Sequence, residues 1–134
     1  MYLLDTNIVS ELVKRAPDAK IVSRLNNEPG GSLFICSVTA FELRFGAARS
    51  AKPATLWARI QRDILNRFQV LPFEQPDALA AADIMSALAS SGQNAALQDI
   101  WLAGVALNHN LTFVTRNRRH FDPMTVLKVE NWFE

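Results

Sequence analysis

Three carboxylates stand in apolar surroundings and are the side chains best suited to chemistry in this chain. Asp5 ends the short apolar run Tyr2–Leu4, Glu42 lies in the segment VTAFEL, and Asp99 lies in ALQDIWL. Burying an unpaired carboxylate costs several kcal/mol, so such groups are usually paired, hydrogen-bonded or bound to a metal. The three together indicate a bound cation.

The composition favours a hard divalent cation at these carboxylates. Mg²⁺ takes oxygen ligands, and it is usually held by one or two carboxylates while it keeps water and substrate phosphate. A cation held in this way can activate water against a phosphodiester. A zinc site is disfavoured because the only histidines, His109 and His120, do not have zinc-like spacing with the single cysteine, Cys36.

Each carboxylate also has a structural interpretation. Glu42 lies three residues after Thr39, which is the spacing of a helix capping box. Asp99 could complement the positive end of a helix, and Asp5 could cap the helix that follows it. All three structural interpretations at once are less favoured, because the predicted topology brings the three groups to one edge of a sheet.

Length and charge predict one globular domain that spans residues 1–134. The chain is 49% apolar and 20% charged, and its net charge of +1 gives no general electrostatic case for nucleic acid, so any basic surface must be local. Cys36 cannot form an internal disulfide, and the sequence shows neither a signal-like start nor a stretch of about 20 apolar residues. We therefore expect a cytoplasmic location without membrane contact.

Apolar periodicity predicts alternating strands and helices. The predicted strands are 2–4, 32–36, 69–73, 111–114 and 126–129. The predicted helices start near Ile8, near Ile21, at Thr39 with Ser37 or Thr39 as N-cap, at Pro53, after Pro76 and at Asn94. Trp57, Ile60 and Phe68 are interpreted most simply as core residues.

This alternation predicts an α/β fold with a mostly parallel sheet covered on both faces. Ligands of such sheets bind beyond the carboxyl ends of the strands. Asp5 follows the first strand, Glu42 lies on the helix that leaves the second strand, and residues 115–117 follow a late strand. Asp99 can join them from the first turns of its helix.

Four segments resemble a known family in the same order along the chain. They are LLDTN at residues 3–7, SVTAFELRFG at 37–46, QDIWLAG at 98–104 and VTRN at 114–117. Together they resemble PIN-domain proteins of the VapC toxin type, with FitB-like proteins close by. The resemblance covers essentially the whole chain.

The resemblance implies a three-layer α/β/α nuclease domain with a central sheet of about five strands. It implies a Mg²⁺- or Mn²⁺-dependent endoribonuclease, the toxin of a type II toxin–antitoxin pair, which cleaves tRNA or rRNA. Asp5, Glu42 and Asp99 match the family's acidic metal-binding and catalytic residues. Asn117 stands where many relatives carry a fourth acid, which weakens the case for a second metal because an amide is neutral.

Other positions are assigned supporting roles by the same resemblance. Thr6, Asn7 and Thr115 match polar residues that orient the carboxylates. Basic residues near the predicted site can contact RNA phosphate, or they can form an ordinary solvated surface; they are Arg44, Arg116, Arg118 and Arg119. The implied partners are RNA, a second copy of the chain and a cognate VapB-type antitoxin, with promoter DNA bound only through the antitoxin.

Two other functions compete with this interpretation. An apolar strand that ends in Asp also opens haloacid-dehalogenase-type phosphotransferases, but these have a second Asp two residues later, where this chain has Asn7. The second alternative is a FitB-like partner in a DNA-bound regulatory complex with weak or no nuclease activity. Asn117 favours that alternative, whereas the intact set of Asp5, Glu42 and Asp99 opposes it.

Overall fold

A five-stranded, wholly parallel sheet forms the centre of the molecule. The computed structural model describes residues 1–134. The strands are β1 (Tyr2–Leu4), β2 (Leu33–Cys36), β3 (Gln69–Leu71), β4 (Thr112–Val114) and β5 (Val129–Glu130). Their order is β3-β2-β1-β4-β5, and every neighbouring pair is parallel. The chain therefore adds β2 and β3 on one side of β1 and then adds β4 and β5 on the other side.

Helices cover both faces of this sheet. They are α1 (Thr6–Val9, continued by a 3₁₀ turn at Ser10–Val13), α2 (Ala19–Asn27), α3 (Ser37–Ala48), α4 (Pro53–Ile60, continued by a π-helical segment at Gln61–Leu65), α5 (Gln75–Ser90), α6 (Leu97–Asn108) and α7 (Arg118–Phe121). A short 3₁₀ turn, Gly30–Ser32, precedes β2. None of these helices combines the length and apolar character needed to cross a membrane.

Two apolar cores of similar size fill the spaces above and below the sheet. Alternate residues of each strand face opposite sides, so Leu3 and Phe113 join one core while Leu4 and Val114 join the other. The first core packs against α5, α6 and α7, and the second packs against α1 to α4. The predicted α/β/α layers and the five-stranded parallel sheet are confirmed.

The predicted start of helix α3 is wrong by two residues. Helix α3 begins at Ser37, and its N-cap is Cys36, whose Sγ accepts a hydrogen bond from the Val38 N–H at 3.5 Å. Thr39 therefore lies inside the helix. The proposed capping box between Thr39 and Glu42 is wrong, because a helix-interior residue cannot act as the N-cap.

Other boundaries shift by a few residues. Helix α6 starts at Leu97 rather than Asn94, and the last strand is Val129–Glu130 rather than 126–129. Phe68 lies beyond α4, although it is buried as expected together with Ile60, and Trp57 is partly buried. The short helix α7 was not predicted from the sequence, and it follows directly after the polar residues at 115–117.

Gly104 sets the distance between α5 and α6. A Cβ added there would lie 2.6 Å from the Asp77 carbonyl oxygen and 2.7 Å from the Ala81 Cβ. We expect Gly104→Ala to lower the free energy of unfolding by about 1–3 kcal/mol in urea denaturation, because α6 would have to move away from α5. Gly46→Ala is the matched control: nothing lies within 4 Å of its added Cβ, so this helix substitution should stabilise by about 0.5–1 kcal/mol. Equal effects of the two substitutions would contradict the close packing.

Candidate active site

Asp5 lies at the carboxyl end of β1 and is held there by four hydrogen bonds. Its N–H donates to the Val114 carbonyl of β4 at 2.9 Å. The carboxylate accepts from the Thr6 N–H at 2.8 Å, the Thr115 hydroxyl at 2.8 Å and the Asn7 amide at 3.1 Å. Asp5 is therefore the N-cap of α1, as its structural interpretation predicted, and it is also a buried acid at the sheet edge.

Glu42 reaches the same edge from the middle of α3. The Thr6 hydroxyl donates to Glu42 Oε1 at 3.0 Å, and it lies 3.3 Å from the hydroxyl of the fully buried Thr39. Since Thr6 follows Asp5 directly, one residue ties the helix carboxylate to the end of β1. The three residues predicted to orient the carboxylates do contact them. Thr6 donates to Glu42, whereas Asn7 and Thr115 donate to Asp5.

Asp99 enters from the first turn of α6 and meets a histidine. The Nδ1 atom of His120 on α7 lies 3.4 Å from Asp99 Oδ2. Asp99 is partly buried, and His120 is 60% exposed in its side chain. This contact is not predicted from the sequence, where His120 enters only as a disfavoured zinc ligand; its position three residues after Asn117 was the available signal.

Burial and neighbouring charges act on the pKa values of the three carboxylates. Burial raises the pKa of Asp5, and the charge of Asp99 adds to that rise. Burial likewise raises the pKa of Glu42, with further increases from the charges of Asp5 and Asp99. Burial also raises the pKa of Asp99, although His120 opposes the rise. No lysine or arginine neutralises this cluster through an ion pair, so its charge is suited to a cation.

The donor set fits a hard divalent cation that keeps part of its water shell. The atoms that could ligate a metal ion are all oxygens. They belong to the three carboxylates and to nearby hydroxyl and amide groups. No three His, Cys, Asp or Glu side chains are close enough to hold one ion together. Direct contact with one or two carboxylates, with the third acting through water, suits Mg²⁺ and Mn²⁺ better than a cage of protein ligands.

Asn117 lies beside the acids rather than among them. Its N–H donates to the Thr115 hydroxyl at 3.0 Å, while its exposed side chain makes no hydrogen bond to a carboxylate. That side chain lines a polar cavity together with Arg116, Arg118 and Arg119. The fold thus brings three of the four predicted RNA-contacting arginines together at this edge.

Arg44 lies apart from those three arginines. Its guanidinium stacks over the Trp57 ring at 4.7 Å, which joins α3 to α4. It is exposed, and it does not line the polar cavity. Its predicted contact with RNA therefore has no support from the position of the other arginines.

Comparison with known proteins identifies the fold family. The sequence model described as the PIN domain matches residues 2–125. The chain belongs to the PIN-domain family. The predicted resemblance is thereby confirmed, and the acidic edge of this PIN domain lies within the matched region.

Curated relatives of this PIN domain span nearly its whole length. Ribonuclease VapC2 of Haemophilus influenzae is 35% identical over 131 residues, which cover 98% of this chain and 97% of the relative. The tRNA(fMet)-specific endonuclease VapC of Shigella flexneri is 34% identical with the same coverage. The chain is thus similar to these VapC-type nucleases over nearly their whole length.

Solved structures show the same fold. The crystal structure of FitAcB from Neisseria gonorrhoeae matches with a TM-score of 0.92 and 31% identity, covering 100% of this chain and 99% of that one. DNA-bound VapBC from Salmonella typhimurium matches with a TM-score of 0.91 and 29% identity, covering 98% and 97%. The likeness to both VapC-type and FitB-like proteins agrees with the resemblance of the four sequence segments.

The raised pKa of Glu42 makes this residue a source of instability at neutral pH. Glu42→Gln should raise Tm at pH 7 and increase the free energy of unfolding by about 1 kcal/mol or less. The substitution removes a half-buried charge that neighbouring acids repel, while the glutamine amide oxygen can still accept the hydrogen bond from Thr6. The gain should shrink as pH falls through the raised pKa, where the native carboxyl becomes neutral. Thermal unfolding between pH 4 and 8 measures both effects. Asp83→Asn removes an exposed charge on α5 and should change Tm much less; a Glu42→Gln variant with lower Tm at pH 7 would contradict the repulsion.

The contact between His120 and Asp99 predicts a further pKa shift. His120→Gln should raise the pKa of Asp99, because His120 is the group that opposes the effect of burial on this carboxyl. Carboxyl-carbon NMR of the metal-free chain, labelled at Asp, measures the titration. His109→Gln is the matched control, since His109 faces Asp77 at 3.4 Å and should leave Asp99 unchanged. An unaltered Asp99 pKa in His120→Gln would show that the contact is not formed in solution.

Proposed function

We propose that this chain is a metal-dependent endoribonuclease and the toxin of a type II toxin–antitoxin system. The observation that carries the proposal is the convergence of Asp5, Glu42 and Asp99 at one sheet edge. Burial raises the pKa of all three carboxyls there, and repulsion by the other acids adds to the rise for Asp5 and Glu42. Relatives named ribonuclease and tRNA-specific endonuclease over nearly the whole chain support the same function. Structured RNA such as tRNA is the proposed substrate.

Asp5, Glu42 and Asp99 would hold Mg²⁺ or Mn²⁺ through one or two of their carboxylates. A cation bound there supplies a water of lowered pKa and neutralises charge on the scissile phosphate. Thr115 and Asn7 fix the Asp5 carboxylate, and Thr6 fixes Glu42, so that these groups need little rearrangement. Arg116, Arg118 and Arg119 would position RNA by its phosphates. The proposed products carry a 5′-phosphate and a 3′-hydroxyl.

The proposed protein partner is a VapB-type antitoxin, with the toxin itself a homodimer. Support comes from the solved relatives, of which one is DNA-bound VapBC. Phe41 and Phe45 on α3 are 64% and 58% exposed, which leaves apolar area for a partner to cover. Promoter DNA would be bound through the antitoxin. The acidic cluster explains how a basic antitoxin side chain could inhibit the enzyme, since a guanidinium pairs with carboxylate oxygens.

One observation favours the alternative, a FitB-like partner in a DNA-bound regulatory complex with weak nuclease activity. The side chain at position 117 is a neutral amide, and it makes no hydrogen bond to the acids. A second cation would therefore be held less strongly than by an acid at that position. The cleavage experiment below separates the two functions.

Asp99→Asn should abolish RNA cleavage and growth arrest while it preserves the fold, because the amide is neutral and similar in size. Brief expression of the chain without antitoxin, followed by sequencing of RNA 5′ ends, should show new 5′-phosphate ends at one or a few sites with the intact chain only. Loss of at least 100-fold in cut frequency is expected for the variant. Folded, partner-free intact protein that produces neither new ends nor growth arrest would favour the regulatory complex.

A further inference from the structure

A second polar feature adjoins the acidic cluster. A cavity of about 280 Å³ opens at the end of the sheet, and all seven residues that line it are polar: Arg116, Asn117, Arg118, Arg119, His120, Asn131 and Glu134. His120 also faces Asp99 at 3.4 Å. His120 therefore lies between the cavity and Asp99, so the cavity adjoins the acidic cluster.

The two sides of this polar cavity differ in charge. Three arginines from the loop after β4 and from α7 form one side, whereas Glu134 and Asn131 come from the segment after β5. The Asn131 amide donates to Glu134 Oε1 at 3.2 Å, so the carboxylate and the amide lie side by side. Residues 131 and 134 also lie beyond residues 2–125, which the PIN-domain model matches.

Hydrogen bonds and a ring contact hold the segment that carries Glu134 against the segment that carries the arginines. The Asn131 amide donates to the Arg116 carbonyl at 3.3 Å, and the Phe133 N–H donates to Asn131 Oδ1 at 2.9 Å. The Arg116 guanidinium stacks on the Phe133 ring at 4.4 Å. The neighbouring Trp132 is buried in the core and anchors this segment. The cavity is thus built by contacts between two distant parts of the chain.

This charge pattern suits a nucleotide better than a phosphate alone. Arginines bind phosphate oxygens, but a carboxylate in the same cavity repels them. A carboxylate instead accepts hydrogen bonds from the N–H groups of a base edge, as Glu and Asp do with the cytosine amino group. Uracil has no exocyclic amino group, and its single donor on that edge, N3–H, lies between two carbonyl oxygens that the negative charge would repel.

We propose that this cavity is a subsite for one nucleotide of the RNA next to the scissile phosphate, and that Glu134 and Asn131 select a base with an exocyclic amino group. The phosphate lies against Arg118 and Arg119, and the base edge lies against Glu134. The proposal rests on the proposed function in one respect, namely that RNA is the substrate. It adds a specificity-determining pair that the acidic cluster does not supply.

Binding of single nucleotides tests the subsite without any cleavage. We would titrate the metal-free, ¹⁵N-labelled full chain with the 5′-monophosphates of guanosine, adenosine, cytidine and uridine and follow the amide signals of residues 116–120 and 131–134. The first three nucleotides should bind at least fivefold more tightly than uridine monophosphate. Glu134→Gln should remove this preference, because its amide group can also donate to the uracil oxygens.

Two further variants separate base selection from phosphate binding. Arg118→Gln combined with Arg119→Gln should weaken the binding of all four nucleotides alike. Asp83→Asn, which makes the same charge change as Glu134→Gln but lies outside the cavity, should leave binding unchanged. Equal binding of all four nucleotides by both the intact chain and Glu134→Gln would overturn the proposal in favour of a phosphate site. Absence of shifts in these segments would overturn the subsite itself, and RNA cleavage that persists in that case would leave the nuclease proposal standing.

Discussion

The position of Asp5 is the constraint on which the rest of the structure depends. Its carboxylate is buried at the end of the central strand, between β2 and β4, where the chain changes the direction in which it adds strands. A buried charge of this kind persists only if several donors face it. Thr115, placed by β4, and Thr6 and Asn7, placed by the start of α1, meet that requirement. The strand order therefore places the hydrogen-bond donors that stabilise the Asp5 carboxylate.

The same constraint makes the acidic edge costly for stability. Burial raises the pKa of all three acids, so their ionised forms are less favourable in the folded chain than in the unfolded chain. The two apolar cores must offset that cost, and their nearly equal division between the faces covers both sides of the sheet. Functional clusters commonly lower stability in this way, because selection preserves activity above a stability threshold.

Local patterns in the sequence predicted the fold and the acidic trio, but contacts between distant segments were hidden from them. The run before Asp5 and the apolar strands after it define a parallel sheet. That topology brings Glu42 to the edge where Asp5 lies, and Asp99 can join them from the first turn of its helix. The start of α3 was misplaced because a cysteine is an uncommon N-cap and Thr39 offered a more familiar one. The pairing of His120 with Asp99, and of Asn131 with Arg116, joins residues many positions apart and carries no periodic signal.

The amide at position 117 gains a physical meaning from its neighbours. Asn117 lines the same cavity as Arg116, Arg118 and Arg119, so an acid there would pair with those guanidinium groups and reduce the positive potential of the cavity. A neutral side chain leaves the arginines free of such pairing, but it would attract a second cation less strongly than an acid. Under the proposed function, the amide at position 117 would therefore weaken two-metal chemistry and preserve the positive potential that attracts RNA to the edge where Asp5, Glu42 and Asp99 lie. The proposed arrangement is thus a single cation beside a basic cavity.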